Sequence, residues 1–319
     1  MSNVFCVNSY FWLHSFYSKT LPGDGETLTG TRYRPSGGGK GVNQAFAAAY
    51  KGCKVEVIGR IGKDEPGRIF AEECASCGVG TRYMVYDSEH YTGCGCILRD
   101  EVGGNAIVIV PGVQNFLQPS DFDAAESYIR TCSIGGFQLE VNLDAVLYGI
   151  KRCSEWGIKT FVDPAPAVPL PKDIYPSIDY IKPNEHEATI LTGIPVTGVD
   201  SAVEAGRWLL ERGVREAAII TLGEKGCVVV THTGVKCFPC PKVEVVDPTC
   251  AGDSFAGAFM AAIAQGKTLE EAIIEASELA SLTVSVSGSM YNCFHMCDEL
   301  YQRIHADYRK QLDNSANNH

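Results

Sequence analysis

The chain has 319 residues, and 45% of them are hydrophobic, so it can bury a sizeable core and is not intrinsically disordered. This length fits two average domains or one large α/β domain with an appendage. The 27 Lys and Arg residues stand against 38 Asp and Glu, a formal net charge of −11. That balance argues against nucleic acid or an anionic membrane as a partner, because both require clustered basic residues.

The sequence shows no signal for secretion or membrane insertion. Residues 1–13 lack a basic amino-terminal region and carry Asn3, Asn8 and Ser9 within their apolar stretch. No apolar run approaches the roughly 18 residues that a bilayer span requires. We therefore expect a cytoplasmic protein with reduced thiols, whose 14 cysteines act mainly as small hydrophobic residues rather than as disulfides or zinc ligands.

The first 115 residues are rich in glycine and in β signal. We expect strands at residues 4–7, 27–33, 55–58, 92–98 and 105–110, and helices at residues 42–50 and 67–77. Glycines at residues 37–39 are expected to interrupt the second of these strands. Segments 12–36 and 90–112 have no helical partner, so we expect them to form a small β-sheet that covers the site as a lid.

From residue 120 onward, predicted strands and helices alternate. Helices are expected at residues 120–130, 143–156, 185–191, 201–211, 251–264 and 269–286, with strands at 159–162, 180–181, 217–221 and 227–230. This order predicts an α/β fold with a doubly wound, mostly parallel sheet. We expect one domain over residues 1–308 and a polar, frayed tail at residues 309–319. Ligands bind such sheets on the loops after the carboxyl ends of the strands.

The most informative of these loops is a glycine-containing turn that leads into the helix after residue 250. The first amides of that helix have no partner within it, and with the helix dipole they form a site for a phosphate. Asp253 stands at the start of the helix. An acid there most often caps the helix, but it can also accept the proton of an attacking hydroxyl during phosphoryl transfer.

A second glycine turn, at residues 37–41, opens into an Ala-rich helix. It lacks the spacing of a Walker loop. Its glycines would let the backbone approach a polyhydroxylated ligand, and Asn43 could bind sugar hydroxyls. The alternative is a flexible loop in which Asn43 is a local cap.

Three more loops follow predicted strands. At residues 182–187, Asn184 and Glu187 are typical of a helix capping box, or they would lie near phosphate and hydrated Mg²⁺. Residues 221–226 form either a β-turn or a loop along a nucleotide. Residues 163–167, Asp-Pro-Ala-Pro-Ala, are more typical of a rigid turn than of a ligand site.

These segments, in this order and spacing, resemble the PfkB, or ribokinase-like, family of carbohydrate kinases over roughly residues 4–300. One family signature matches residues 38–62 without a break. The other matches residues 247–260 with one departure, because Cys250 stands where Ser, Ala or Gly is usual. The resemblance implies a sheet between helices with a β lid, ATP and Mg²⁺ as cofactors, activation by K⁺, and a sugar hydroxymethyl group as acceptor.

The resemblance also implies roles for individual residues. Asp253 would be the general base, and Glu187 would hold Mg²⁺ through water. The anion hole would be formed by the amides of Cys250, Ala251 and Gly252. The sugar site would include Phe11, Leu13, Gly39, Lys40, Gly41, Asn43, Glu140 and Asp253. The ATP site would include Asn184, Thr221, Leu222, Gly223, Gly226, Gly252 and Ser277. The monovalent-cation site would include Asp247, Thr249, Thr283, Val286, Gly288 and Asn292.

The first strand departs from the pattern of ribokinase-type members, which carry Asn-x-Asp there and bind two sugar hydroxyls with the Asp. Aligned without a gap, the two positions hold Phe11 and Leu13; with a gap they hold Asn8 and Tyr10. Either way the carboxylate is missing, a loss of about 1–3 kcal/mol of binding to a polyol. The change favours a more apolar or base-containing ligand. The cation site departs as well, since Asn292 stands where Ser is common.

Three functions are therefore open at this point. The first is an ATP-dependent sugar kinase with D-ribose as the leading acceptor. The second is a kinase of the same fold for a nucleoside or another sugar, which the aromatic first strand favours. The third is a non-catalytic sugar or nucleotide sensor, which the missing acid favours. The exposed edge of the lid sheet also predicts a homodimer.

Overall fold

The structure is a computed structural model that describes residues 2–286 and 298–316. Within these residues it has thirteen strands and nine helices. The strands are β1 (Asn3–Val7), β2 (Phe11–Tyr17), β3 (Arg32–Gly38), β4 (Lys54–Gly62), β5 (Val79–Asp87), β6 (Thr92–Arg99), β7 (Asn105–Gly112), β8 (Ile134–Gln138), β9 (Lys159–Asp163), β10 (Tyr180–Ile181), β11 (Ala217–Thr221), β12 (Cys227–Thr231) and β13 (Gly234–Phe238). The helices are α1 (Lys40–Tyr50), α2 (Glu65–Ser76), α3 (Pro119–Ile129), α4 (Leu143–Glu155), α5 (Glu185–Thr192), α6 (Val199–Glu211), α7 (Ala251–Ala264), α8 (Leu269–Val284) and α9 (Asp298–Ala316).

The central sheet has nine strands in the order β13-β12-β11-β10-β9-β8-β1-β4-β5. Its strands are parallel except at one edge, where β11, β12 and β13 pair antiparallel. Helices pack on both faces of this sheet, so both faces are covered. The predicted doubly wound α/β sheet is confirmed.

The core consists of one hydrophobic layer on each face of this sheet. Alternate residues of β1 divide between the layers: Val4 and Cys6 pack with α1, α2, α7 and α8, whereas Phe5 and Val7 pack with α3 to α6. A strand with both faces buried is a continuous apolar run rather than an alternating one. This is why β1 was recognisable from its sequence.

The second sheet has the strand order β3-β2-β6-β7 and is called the lid below. Its strands β2 and β6 are parallel, and the outer two pairs are antiparallel. The lid is formed by the two segments that were expected to form it, but the first extends beyond its expected bounds of 12–36 to Phe11 and Gly38. The expectation that glycines interrupt the strand before residue 39 was wrong, because β3 continues through Gly38. A Cβ on Gly37 would clash with the Tyr10 hydroxyl, so glycine permits close packing inside a strand there.

Further elements differ from the expectations. Strands β5 and β13 were not predicted, and the strand expected at residues 27–33 lies at Arg32–Gly38. Strand β8 was not predicted, since its Gly135 and Gly136 weaken the β pattern; a Cβ on Gly135 would clash with the Phe5 ring. Residues 310–316 were expected to belong to a frayed polar tail but continue α9. That helix is held by Tyr308, which is buried and donates a 2.7 Å hydrogen bond from its hydroxyl to the Pro239 carbonyl.

Candidate active site

The start of α7 is built around a left-handed residue. Cys250 precedes the helix with φ of 65°. This conformation reverses the chain just before the helix. The amides of the first turn, including those of Ala251 and Gly252, therefore have no carbonyl partner within the helix. These amides and the helix dipole are the features from which the sequence predicts an anion site here. A non-glycine residue in this region costs roughly 1–2 kcal/mol.

Asp253 lies in the first turn of α7 and is only 6% exposed. Its Oδ2 accepts a 2.8 Å hydrogen bond from Asn43 Nδ2 at the start of α1. The same amide donates to Cys250 Sγ at 3.3 Å. The two helix starts approach closely because Gly257 has no side chain; a Cβ there would clash with the Gln44 carbonyl. Tertiary packing thus brings together two motifs that are 210 residues apart in sequence.

Charges of alternating sign surround this carboxylate. Lys40 Nζ lies 3.6 Å from Asp253 Oδ1 and 3.7 Å from Asp163 Oδ2. Asp163 also pairs with Lys182 at 3.2 Å, and both of those side chains are almost fully buried. Burial raises the pKa of Asp253, and the nearby Lys40 ammonium opposes that rise. Burial lowers the pKa of Lys40, but the carboxylates of Asp163 and Asp253 outweigh it and raise that pKa overall.

Asp163 and Lys182 were not among the predicted site residues. Residues 163–167 were expected to be a rigid turn rather than a ligand site, yet Asp163 contacts two lysines and accepts a 3.0 Å hydrogen bond from Gln44 Nε2. One signal for Asp163 was available: it is an acid at the carboxyl end of a buried strand, the edge where such folds bind ligands. Lys182 likewise follows β10 directly.

Three of the predicted sugar-side residues, Lys40, Gly41 and Glu140, form a connected cluster around the Glu140 carboxylate. Its Oε2 accepts hydrogen bonds from Ser9 Oγ at 2.7 Å and from the Lys40 amide at 2.8 Å. The Gly41 amide donates to Ser9 Oγ at 2.9 Å. Burial raises the pKa of Glu140, and Lys40 counteracts this. Ser9 is a further residue that sequence reasoning missed.

The glycines of the 37–41 turn have a structural cause. Gly39 has φ of 152°, and a Cβ there would clash with the Ser9 carbonyl. A Cβ on Gly41 would clash with the Val7 carbonyl. The turn is therefore packed against the end of β1 and is no flexible loop. Its glycines are required by the protein's own backbone, whatever ligand approaches the other side.

A cavity of about 1190 Å³ opens beside this cluster. It contains nine of the predicted site residues in its lining: Lys40, Asn184, Glu187, Thr221, Gly223, Gly226, Ala251, Gly252 and Ser277. Asp163, Lys182 and Phe255 line it as well. Leu222 is buried behind the 221–226 loop. The lining does not include the other predicted sugar-side residues, all of which the structure describes: Phe11, Leu13, Gly39, Gly41, Asn43, Glu140 and Asp253.

Two loops form the far wall of the cavity. Asn184 and Glu187 make a complete capping box, in which each side chain accepts a 2.9 Å hydrogen bond from the other residue's amide. Burial raises the pKa of Glu187, and the Asp163 carboxylate adds to the rise. Residues 221–226 join two antiparallel strands, and Leu222 N donates to the Gly226 carbonyl at 2.8 Å. The local interpretations of both segments hold, and both also face the cavity.

The predicted cation-site residues converge in part. The amides of Val246 and Asp247 donate to the Val284 carbonyl at 2.7 and 3.1 Å, which holds the loop of Asp247 and Thr249 against the end of α8, where Thr283 lies. Val286 lies two residues after the end of α8, and its amide donates a 3.4 Å hydrogen bond to the Thr283 carbonyl. The predicted ligands Gly288 and Asn292 lie outside the described residues. In residues 2–286 and 298–316, no group of three or more His, Cys, Asp or Glu side chains is placed to hold a metal ion.

The structure separates the two alignments of the first strand. Tyr10, the gapped counterpart of the missing acid, is fully buried, and its hydroxyl donates to Glu73 Oε2 at 3.0 Å. It is a core residue against α2. Phe11 and Leu13, the ungapped counterparts, lie in lid strand β2, where Phe11 is buried and Leu13 is partly exposed. Of the two alignments, only the ungapped one therefore places its counterparts, Phe11 and Leu13, in the lid.

Comparisons with known proteins agree with this geometry. Residues 1–295 match the family described as pfkB family carbohydrate kinase. A ribokinase of Haemophilus influenzae is 36% identical over 265 residues, which cover 83% of this chain and 86% of that protein. A deoxyribokinase of Salmonella typhi is 34% identical, with coverage of 86% and 89%.

Two other matches concern the fold of this chain and its length relative to a known protein. The structure of Arabidopsis thaliana ribokinase complexed with ribose and ATP superposes with a TM-score of 0.83 at 28% identity, covering 93% of this chain and 99% of that one. A bifunctional ribokinase/ribose-5-phosphate isomerase A of Fructilactobacillus sanfranciscensis is 34% identical over 267 residues, and this chain spans 49% of its length. The predicted family and the predicted ribokinase-like fold are confirmed: the chain belongs to the pfkB family of carbohydrate kinases, enzymes that transfer a phosphoryl group to a sugar hydroxyl.

Proposed function

We propose that this protein transfers the γ-phosphoryl group of ATP to the hydroxymethyl group of a pentose, with D-ribose as an acceptor. The observation that carries the proposal is the position of Asp253. Its buried carboxylate lies in the first turn of α7, directly after Gly252 of the cavity lining, and Lys40 contacts both this carboxylate and Glu140. Lys40 links the two sides, since its ammonium lines the cavity and its amide binds Glu140.

Asp253 acts as the general base in this proposal. Asn43 orients one of its oxygens, and Lys40 lies beside the other. Burial raises the pKa of this carboxyl group and so increases its basicity, while Lys40 keeps the ionised form accessible. A base in this position accepts the hydroxyl proton as the new O–P bond forms. A sensor would need no such oriented carboxylate, so this arrangement favours catalysis.

The transferred phosphoryl group carries negative charge that the site must stabilise. The first-turn amides at Ala251 and Gly252 line the cavity, and the ammonium groups of Lys40 and Lys182 line it nearby. Such preorganised donors are worth most in a site shielded from water. Phosphoryl transfer depends largely on this kind of positioning and charge stabilisation.

ATP fits the cavity beside the Glu140 cluster. Its volume of about 1190 Å³ exceeds what a nucleotide needs, and backbone loops at residues 221–226 and 250–252 form its walls. A related ribokinase has been solved with ribose and ATP. Mg²⁺ would be held through water by the carboxylates of Glu187 and Asp163, where it would neutralise phosphate charge. K⁺ would be held by the loop of Asp247 and Thr249 against the end of α8.

Two properties of the whole protein belong to the same proposal. No helix among the described residues is long and apolar enough to cross a bilayer, and we place the enzyme in the cytoplasm. We also place a homodimer contact on the lid. Its edge strand β7 exposes a continuous apolar run at residues 107–110, and such an unpaired edge invites a second copy.

The test is ADP release from Mg-ATP with K⁺ present, using D-ribose, other pentoses, hexoses and nucleosides as acceptors. We expect Asp253→Asn to lower kcat by about 10²- to 10⁴-fold while ATP binding is retained. Asp200→Asn is the matched control, because Asp200 is also an aspartate in a first helical turn but is exposed. Equal activity of the two variants would show that Asp253 is not the base.

A further inference from the structure

One face of the lid is lined by apolar side chains and glycine. On β2, Phe11 and Leu13 point to the same face, because alternate residues of a strand do so. Directly paired residues of neighbouring strands share that face. Phe11 pairs with Gly38 and Gly93, and Leu13 pairs with Gly95. Three glycines therefore lie beside two large apolar side chains.

The glycines are covered by these side chains. A Cβ on Gly93 would lie 2.8 Å from Phe11 Cδ1, and a Cβ on Gly95 would lie 2.8 Å from Leu13 Cδ2 and 2.5 Å from Ile109 Cδ1. The side chains of Phe11, Leu13 and Ile109 thus rest on bare backbone and form one apolar surface. We call these three side chains the lid patch.

The opposite face of the lid packs on the body of the protein at this end. Gly37 is on that opposite face, since it neighbours Gly38 in β3. A Cβ on Gly37 would meet the Tyr10 hydroxyl and, at 2.7 Å, Glu73 Oε2 of α2. The lid patch therefore faces away from α2.

The lid patch lies on the Glu140 side of the lid. On its face, a Cβ on Gly93 would lie 2.7 Å from Gln114 Oε1. The Gln114 carbonyl accepts the amide of Asn142, close to Glu140 in the chain, at 3.3 Å. Strand β2 also begins just after Ser9, whose hydroxyl binds Glu140. The patch and the Glu140 cluster are thus connected through Gln114 and through the residues just before β2.

The polar groups of this site are unevenly placed. Glu140, Ser9, Asn43 and Asp253 are all on the body of the protein. On the patch face of the described lid strands, the side chain paired with Leu13 across β3 is Ser36, a neutral hydroxyl rather than a carboxylate. A sugar hydroxyl buried under the patch would lose its hydrogen bonds to water without gaining others, which disfavours binding. A methylene group in its place would have no such cost.

We propose that the lid patch makes a deoxypentose, a sugar with a methylene in place of one ring hydroxyl, at least as good an acceptor as D-ribose. Leu13 is the specificity-determining residue, because it stands in the middle of the patch. This inference rests on the proposed sugar-kinase function and names the acceptor class of the same site.

The experiment measures kcat/KM for 2-deoxy-D-ribose and for D-ribose at saturating Mg-ATP. We expect a ratio of 1 or more in the wild type. Leu13→Asp places a carboxylate in the patch and should lower that ratio about tenfold or more, the effect of a hydrogen bond to one additional sugar hydroxyl. Leu13→Met, which keeps an apolar side chain, should leave the ratio unchanged.

Val85→Asp is the matched control, since it adds a carboxylate at an exposed position of β5, outside the lid. A wild-type ratio below 1 would overturn the inference, as would equal ratios in Leu13→Asp and Val85→Asp. If Leu13→Asp does not fold, Leu13→Ser serves the same purpose with a smaller expected shift in the same direction. Failure of the wild type to phosphorylate any sugar would instead overturn the proposed function itself.

Discussion

The two sides of the site are built on different principles. On the cavity side, buried charges of alternating sign run from Asp253 through Lys40 and Asp163 to Lys182. On the lid side, glycines and the apolar side chains of Phe11 and Leu13 form the surface. The charged side is suited to a phosphate group whose charge changes during reaction, and the apolar side to a neutral sugar edge. In the proposed reaction, chemistry and acceptor selection are thereby separated in space.

The largest effect on stability is expected where the charged side is broken. Asp163→Asn leaves the buried ammonium of Lys182 without its partner, so we expect the free energy of unfolding to fall by about 3–5 kcal/mol. Chemical denaturation measures this. Asp173→Asn is the control, because its pair with Lys151 is exposed and should be worth less than about 1 kcal/mol. Similar losses in both variants would contradict a special role for the buried pair.

A second change sharpens the electrostatic argument through pH. Burial raises the pKa of Asp253 and Lys40 lowers it. Lys40→Met removes the lowering charge, so the pKa rises further and the carboxylate forms only at higher pH. Since a general base must be deprotonated, the acidic limb of the kcat/KM profile should move to higher pH. Lys40→Arg keeps the charge and should leave the limb in place; an unmoved limb in Lys40→Met would exclude this coupling.

A smaller effect is expected at the left-handed residue that joins the two sides. Cys250 has φ of 65°, a conformation that glycine adopts without strain. Cys250→Gly should raise the free energy of unfolding by about 0.5–1 kcal/mol, after the greater entropy of glycine in the unfolded chain is subtracted. Cys250→Val should lower it, because β-branched residues fit this region poorly. Thermal denaturation of the pair tests the sign, and a stabilised valine variant would contradict it.

The smallest effect on stability is expected at the outer edge of the lid. Val108 is 66% exposed on β7, so Val108→Lys should change the free energy of unfolding by no more than about 0.5 kcal/mol. It should nevertheless shift a dimer toward monomer in sedimentation velocity. Val235→Lys is the control, since Val235 is exposed on the edge strand of the other sheet. An unchanged association state in Val108→Lys would place the dimer contact elsewhere.

Much of the site was predictable because it is local. The turn before α7, the capping box of Asn184 and Glu187, and the glycine turn before α1 each lie within a few consecutive residues. Backbone propensity and helix-end chemistry act over that range, so the residue pattern alone indicates an anion site. The joint spacing of these motifs then pointed to the family.

Other features were hidden because they depend on packing. Strand β8 is masked by two glycines that make room for core side chains. The polar tail is helical to Ala316 because Tyr308 anchors α9 in the core. Neither cause is visible from neighbouring residues, since each involves a side chain distant in sequence.

The sequence by itself determined the fold class, the family and the position of the candidate base, Asp253, because hydrophobic periodicity and helix-end motifs are short-range properties. Only the tertiary structure decided which charges surround Asp253 and which side chains form the lid patch. Asp163 contacts both Lys182 and Lys40, although Lys40 is far from it in the chain. Leu13 is part of an apolar surface because glycines pack beneath it. Electrostatic coupling and burial depend on distance in space, which the order of residues does not contain.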